Sequence, residues 1–131
     1  MKTVESIAYI TNWLKSYSEN SKTKGFVVGV SGGIDSAVTS TLCALTGKDV
    51  LCLLMPIHQH KLECNRSKEH ADWLTNTFSN VEVRTANLSD TFDGFAKQIP
   101  IELQSDLTMA NTRARLRMTT LYTYAGAKSL L

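Results

Sequence analysis

Two short runs of consecutive apolar residues most constrain how this chain can fold. The first run is Phe26-Val27-Val28-Gly29-Val30, and the second is Val50-Leu51-Cys52-Leu53-Leu54-Met55, which Pro56 closes. Short unbroken apolar runs are typical of strands that are buried on both faces of a parallel sheet. The sequence therefore predicts a parallel sheet whose two faces are covered by helices.

Helical segments separate these runs and follow them. Helices are predicted at residues 4–18, 35–46, 62–78, 90–98 and 106–126, and a third, less buried strand at residues 81–86. The apolar stripe predicted for the first helix is Ile7, Ile10, Leu14 and Tyr17, and that of the third is Leu62, Ala71, Leu74 and Phe78. Because strands that alternate with helices favour right-handed βαβ units, we predict an α/β fold.

The last residues of the sequence predict a further strand that is not completed. We expect Gly126-Ala127-Lys128 to end the long helix and Ser129-Leu130-Leu131 to open a buried strand. A chain terminus is normally polar and frayed. We therefore expect residues 1–131 to form a single incomplete domain, truncated from a larger protein or completed by a partner.

Charge and cysteine content exclude several classes of protein. The 131 residues carry 14 Lys and Arg against 12 Asp and Glu, a net charge of +2, which argues against a strongly basic nucleic-acid binder. The sequence has no apolar run of about 18 residues and no signal-peptide core, so we expect no membrane association. Three cysteines without a CxxC pair predict reduced thiols in a cytoplasmic protein, with Cys43 and Cys52 in the core.

The segment Ser31-Gly32-Gly33-Ile34-Asp35-Ser36 lies between the first predicted strand and the second predicted helix. Ligands of open α/β sheets bind at the carboxyl ends of strands. Glycine lets backbone N–H groups approach an anion closely, and the following helix directs its N-terminal dipole to the same place. Together with the two serine hydroxyls, the segment predicts a site for a phosphate or a pyrophosphate.

Asp35 is the one carboxylate in this segment. It would repel a phosphate unless a cation lay between them, so its expected role is to hold Mg²⁺ that bridges phosphate oxygens. The alternative is an ordinary first helical turn in which Asp35 interacts with the helix dipole. Two other phosphate loops are excluded, because GxxxxGK[ST] is absent and the glycine spacing does not fit GxGxxG.

The SGGIDS sequence resembles the pyrophosphate loop of the ATP pyrophosphatases, which include NAD, GMP, asparagine and argininosuccinate synthetases and tRNA-modifying enzymes. The resemblance implies a Rossmann-like fold of the adenine nucleotide α-hydrolase type. It also implies that the loop at 31–36 holds the β,γ-pyrophosphate of ATP while a substrate oxygen attacks the α-phosphorus.

A second segment, Asn111-Thr112-Arg113-Ala114-Arg115-Leu116-Arg117-Met118, carries three arginines in a predicted helix. Arg113 and Arg117 share one helical face, and Asn111 and Arg115 share another. Taken alone, the segment could be a solvated basic surface. It resembles, however, the N-x-x-A-R-x-R-M stretch of NAD synthetases, and residues 24–30 and 121–125 are also similar to that family.

The resemblance to NAD synthetases implies a reaction and a set of site residues. ATP adenylates the nicotinate carboxylate of deamido-NAD, and ammonia, either free or released from glutamine, displaces AMP to give NAD. ATP and Mg²⁺ are the implied cofactors, and a homodimer holds the dinucleotide at its subunit interface. The implied ATP-binding residues are Val30, Ser31, Gly32, Gly33, Ile34, Asp35, Ser36 and Met55, with Asp35 also the metal ligand. The implied deamido-NAD-binding residues are Asn111, Arg115 and Arg117.

The sequence departs from that family in two respects. Ala110 stands where a glycine often precedes the asparagine, and these 131 residues do not include the family's later Thr, Glu and Lys-Gly-Asp elements. We therefore expect that this chain alone could be inactive. Two alternatives stay open: another ATP pyrophosphatase, such as a GMP synthetase or a tRNA-modifying enzyme, and a non-catalytic ATP-binding module that acts through a partner.

Overall fold

The computed structural model describes residues 2–131 as three parallel strands and five α-helices. In chain order the elements are α1 (Thr3–Asn20), β1 (Gly25–Gly29), α2 (Ile34–Leu45), β2 (Asp49–Leu54), α3 (Lys61–Thr77), β3 (Val81–Thr85), α4 (Ser89–Ala96) and α5 (Asp106–Lys128). A short 3₁₀ helix at Ile101–Leu103, which the sequence pattern did not predict, precedes α5. No helix in this range is long and apolar enough to cross a membrane.

The sheet has the order β1-β2-β3, and both pairs of neighbouring strands are parallel. The central strand β2 is the most buried element, because Val50, Leu51, Cys52 and Leu53 are each no more than 2% exposed. Its unbroken apolar sequence is therefore explained by helices packed against both faces. The predicted α/β fold with a parallel sheet is confirmed.

Two hydrophobic cores lie on opposite faces of the sheet, because successive side chains of a strand point to opposite sides. On one face, Val50 and Cys52 pack with Cys43, Ala44 and Leu74 of α2 and α3. On the other face, Leu51 and Leu53 form a cluster with residues of α4 and α5, among them Phe92, Leu116 and Leu121. Helices α2 and α3 therefore cover one face, and α4 and α5 cover the other.

The last residues, which the sequence predicts to open a strand, pair with the outer edge of β1. Leu130 forms an isolated parallel bridge with Gly25, and the Leu131 N–H donates to the Gly25 carbonyl oxygen at 2.8 Å. The Val27 N–H donates in turn to the Leu131 carbonyl oxygen, also at 2.8 Å. Because this segment and β2 lie on opposite sides of β1, the strand order reverses at β1. In open α/β sheets the crevice at such a reversal is where ligands bind.

The two predicted apolar stripes are only partly buried. Leu62 is 75% exposed, so its assignment to the stripe of α3 was wrong. Leu62 precedes Ala71 by about two and a half helical turns, so it lies on a different side of α3 from the buried Ala71 and Leu74, which are 1% and 0% exposed. In α1 only Leu14 of the predicted stripe packs against the core, whereas Ile7, Ile10 and Tyr17 keep 39–52% of their surface exposed.

The helix ends differ from the predictions by at most two residues. Gly47 has a φ of +74° just after α2, which confirms it as the residue that stops this helix. Gly126, by contrast, lies inside α5, which continues to Lys128. The left-handed residue that ends α5 is Ser129, with a φ of +56°, and it turns the chain into the pairing with β1.

Candidate functional site

The loop at residues 31–33 begins where β1 meets its neighbour. The N–H of Val30 donates to the Leu53 carbonyl oxygen at 2.9 Å, and Val30 is only 5% exposed. The chain then leaves the sheet, and α2 begins at Ile34 after the extended residue Gly33. No side chain caps this helix, so the N–H groups of its first turn have no side-chain acceptor. They are therefore available to an anion placed at the end of β1.

The hydroxyls of Ser31 and Ser36 stabilise the loop through hydrogen bonds within it. The Ser36 hydroxyl donates to the Gly33 carbonyl oxygen at 3.0 Å and accepts from the Ser31 N–H at 3.2 Å. The Ser31 hydroxyl lies 3.2 Å from the Ser36 hydroxyl and accepts from the Gly33 N–H at 3.3 Å. These contacts hold the backbone of the loop in one shape. The serines are thus loop-forming residues as well as possible ligand donors.

Gly32 is in tight contact with α3. Its φ is +84°, a left-handed conformation that residues with a side chain rarely adopt. A Cβ at this position would lie 2.8 Å from the Glu63 carbonyl oxygen and 3.3 Å from the Ser67 nitrogen. Glycine is therefore required here both by the backbone conformation and by the approach of α3.

A cavity of about 250 Å³ lies between the loop and α3. Its lining residues are Val30, Gly32, Gly33, Ile34, Ser36, Ala37, Arg66 and His70. His70 is held in place because its Nε2 lies 2.8 Å from the hydroxyl of Ser40, a fully buried residue of α2. Burial lowers the pKa of His70, which favours the neutral imidazole at pH 7.

Asp35 lies in the first turn of α2 and is exposed. Within residues 2–131 no group of three or more His, Cys, Asp or Glu side chains could hold a metal ion by itself. A single carboxylate nevertheless suits Mg²⁺, which commonly binds through one or two carboxylates, substrate phosphates and water. The donor set therefore fits a metal that arrives together with a nucleotide.

A second cavity of about 320 Å³ adjoins the first at Val30 and lies over the carboxyl ends of β2 and β3. Its lining includes the apolar side chains of Leu54, Met55, Pro56 and Val83, together with Cys64 and Lys68 of α3. An apolar cavity bounded by a few polar groups is suited to a flat ring such as a purine. Val30 lines both cavities, so the cavity at Met55 is next to the cavity at the loop 31–36.

A third cavity of about 380 Å³ contains two of the three arginines. The Nε of Arg117 donates to the Met55 carbonyl oxygen at 3.0 Å, and the Arg113 guanidinium lies 5.5 Å from the centre of the Phe92 ring. Burial and the nearby charge of Arg113 lower the pKa of Arg117, an effect that the Glu63 carboxylate partly opposes. Gln59 lines both this cavity and the one at Met55, so the two are neighbours.

The structure does not bring the three predicted dinucleotide-binding residues together. Arg117 and Arg113 face the protein, whereas Asn111 and Arg115 are exposed on another face of α5. This arrangement follows the helical periodicity that the sequence predicts. Sequence reasoning missed Arg66 and His70, because their position relative to the loop depends on how α3 packs against Gly32.

The fold and the loop together define an α/β protein with a glycine-rich loop after its first parallel strand. The family model described as NAD synthase matches residues 6–131. The chain therefore belongs to the NAD synthase family, and the resemblance drawn from the sequence is confirmed.

Known relatives support the same assignment. The chain is 35% identical to an NH₃-dependent NAD⁺ synthetase of Mycoplasma genitalium, and the match covers 98% of this chain and 51% of the relative. A solved NH₃-dependent NAD synthetase from Campylobacter jejuni superposes with a TM-score of 0.88 at 30% identity, over 100% of this chain and 55% of that one.

An NMN synthetase from Francisella tularensis superposes with a TM-score of 0.87 at 29% identity, over 99% of this chain and 52% of that one. The chain thus spans about half the length of the relatives and structures that it matches.

The contact between Gly32 and α3 leads to a prediction about stability. We expect Gly32→Ala to lower the free energy of unfolding by at least about 2 kcal/mol, because the backbone is left-handed and the new methyl group meets the Glu63 carbonyl. Urea denaturation measures this change.

Gly94→Ala is the matched control, because Gly94 lies inside α4 with nothing within 4 Å of its Cβ position. There the substitution should raise stability by about 0.5–1 kcal/mol. Equal effects at the two glycines would contradict the role assigned to Gly32.

Proposed function

We propose that this chain supplies the ATP-binding part of an NAD synthetase that uses ammonia. The observation that carries the proposal is the uncapped N-terminus of α2 behind the Ser31–Ser36 loop, joined through Val30 to the apolar cavity at Met55. The loop suits the pyrophosphate part of ATP, and the cavity suits its adenine ring. Membership of the NAD synthase family supports both assignments.

The proposed reaction proceeds in two steps. A nicotinate carboxylate oxygen attacks the α-phosphorus of ATP, the bond to the β-phosphate oxygen breaks, and pyrophosphate leaves. The nitrogen of ammonia then attacks the carbonyl carbon, and AMP leaves as a proton is lost, which yields the amide. Adenylation is needed because a carboxylate is a poor electrophile until its oxygen becomes part of a good leaving group.

The residues of this chain act on the phosphates in that scheme. The N–H groups at the start of α2 and the loop glycines hold the pyrophosphate, which stabilises the charge that develops as it leaves. Asp35 would hold Mg²⁺ against the phosphate oxygens, and the metal supplies charge neutralisation when it is bound. Met55 and its neighbours exclude water from the adenine ring.

Alkylation of Cys64 tests the nucleotide site directly. Cys64 is half-buried in the wall of the Met55 cavity, whereas burial raises the pKa of Cys43 to about 11 and that of Cys52 to about 12. At pH 8 iodoacetamide should therefore react mainly with Cys64. We expect Mg·ATP to slow this reaction severalfold, as measured by peptide mass spectrometry.

Asp35→Asn is the informative variant for this experiment. It should weaken protection by Mg·ATP but leave protection by adenosine unchanged, since adenosine carries no phosphate. Unaltered alkylation of Cys64 at saturating Mg·ATP would argue against a nucleotide in this cavity. The rates at Cys43 and Cys52 report whether the chain stays folded.

The second substrate is an acid that becomes an amide. The NAD synthetase relatives favour deamido-NAD, whereas the likeness to an NMN synthetase favours nicotinate mononucleotide as the second candidate. We propose that Asn111, Arg115 and Arg117 contact the acid substrate, because guanidinium groups bind phosphates and carboxylates through paired N–H donors.

The two arginines should differ in what they affect. Arg115 is exposed, so Arg115→Ala should weaken deamido-NAD binding about tenfold and leave ATP binding intact. Arg117 also anchors the Met55 carbonyl, so Arg117→Ala should weaken both ligands. Isothermal titration of each variant with each ligand tests this. A loss of ATP affinity in the Arg115 variant would contradict the assignment.

Turnover distinguishes an enzyme from a binding module. The chain is incubated with Mg·ATP, ammonium and either deamido-NAD or nicotinate mononucleotide, and products are identified by mass spectrometry. Equal amounts of AMP and NAD support the proposed synthetase, and AMP with NMN supports the second candidate. ATP binding without any AMP would fit both the non-catalytic module and the incomplete, inactive synthetase domain that the sequence predicts.

We also propose that two copies of the chain associate through the outer face of α5. Leu107, Met118 and Tyr122 are 47–72% exposed there and lie on the same face as Asn111 and Arg115. Such an apolar stripe is costly in water and is typical of an interface. A homodimer on this face would place both exposed polar residues at the subunit interface.

Sedimentation velocity tests the proposed dimer. Tyr122→Glu should shift the chain to a monomer, because it puts a charge in the middle of the contact. Trp13→Glu is the control, since Trp13 is 55% exposed on the unrelated helix α1. Dissociation by the Trp13 variant alone would place the interface on α1 instead.

A further inference from the structure

The loop at 31–36 supplies no positive charge of its own to the anion that it is proposed to bind. Its one ionisable side chain is Asp35, which is negative. In the GxxxxGK[ST] loop, by comparison, a lysine within the motif reaches the phosphates. Backbone N–H groups and a helix dipole carry only partial charges. A pyrophosphate in this loop would therefore gain from a full positive charge contributed by another element.

Arg66 of α3 is in the right place to contribute that charge. It lines the same cavity as Gly32, Gly33 and Ser36. Its Cβ lies 3.5 Å from the position that a Cβ on Gly32 would take, so the side chain starts directly beside the loop. This starting point is fixed by backbone packing, because Gly32 also contacts the main chain of Glu63 and Ser67.

The charges around Arg66 leave it available to a ligand. Among residues 2–131 no carboxylate forms a salt bridge with Arg66, and its side chain is exposed. The other ionisable side chain in the cavity lining is His70, which is held by Ser40. Arg66 is therefore the one permanently charged cation among the residues that line this cavity.

We propose that Arg66 binds the β,γ-pyrophosphate of ATP, and the pyrophosphate product, from the α3 side of the cavity that it shares with the loop and the first turn of α2. The inference rests on the proposed nucleotide site and adds a specific residue to it. The planar guanidinium can donate two parallel N–H bonds to one phosphate, which a lysine ammonium cannot do in the same geometry. Arg66 would thus supply the positive charge that the lysine of the GxxxxGK[ST] motif supplies to phosphates.

Titration with magnesium pyrophosphate and with adenosine tests this role. Arg66→Gln should weaken pyrophosphate binding about tenfold, equivalent to about 1.4 kcal/mol, and leave adenosine binding unchanged. Arg66→Lys should lose less, because it keeps the charge but not the paired donors. Lys15→Gln, on the exposed surface of α1, makes the same change in net charge and should alter neither affinity.

The outcomes separate this inference from the proposed function. Equal pyrophosphate affinities for the Arg66→Gln and Lys15→Gln variants, with binding by the unsubstituted chain intact, would overturn the role of Arg66 and leave the nucleotide site standing. A parallel loss of adenosine and pyrophosphate binding in the Arg66 variant would also overturn it, since the effect would then be structural. Failure of the unsubstituted chain to bind either probe would overturn both. Circular dichroism confirms that each variant is folded.

Discussion

The arrangement of the site depends on the close approach of Gly32 to the backbone of α3. This contact has no room for a Cβ, and it brings the loop after β1 against Glu63 and Ser67. Because a helix is rigid, one backbone contact also fixes where the neighbouring side chains of α3 lie. Arg66 and His70 line the loop cavity, and Cys64 lines the adjacent one. The close approach at this one glycine therefore fixes the position of α3 relative to α2, and with it the residues that line the two cavities.

The fold could be predicted from the sequence because its strongest signals are local. The apolar side chains of residues 50–55 point alternately to the two faces of the sheet, so both faces must be covered. A central strand between two layers of helices provides this cover. The position of the loop at 31–36, at the carboxyl end of β1, could be predicted because its glycines lie between a strand and a helix in the sequence. Leu62 was misassigned because it lies about two and a half helical turns before Ala71, and therefore on the opposite side of α3, where it is exposed. What covers the exposed stripe of α1 could not be predicted either, since periodicity does not say what covers an apolar face.

The site could be predicted only in part, because its residues come from elements that are distant in sequence. The grouping of Arg113 with Arg117 follows from periodicity, and the structure places both in one cavity. That Arg117 would donate to Met55, 62 positions away, could not be read from either segment. Asn111 and Arg115 point away from this cavity, so a contact that uses all three predicted residues needs more than one copy of α5 or more than one part of the ligand. The sequence motif at residues 111–118 does not show this requirement, which follows from the directions of the side chains on α5.

Electrostatics connects these observations. A triphosphate carries several negative charges, and in the proposed site the loop would offer them backbone N–H groups, two hydroxyls and a carboxylate. A carboxylate beside a phosphate is favourable only when a cation lies between them, which is the reason for proposing that Asp35 holds Mg²⁺. Each remaining cation near the nucleotide must come from a helix that packs against the loop or the sheet edge. The chain meets that need from two sides, with Arg66 of α3 at the loop and Arg113 and Arg117 of α5 beside Met55. Under the proposed function, charges on different helices would contact different parts of the reactants, with Arg66 at the pyrophosphate and Arg117 at the acid substrate.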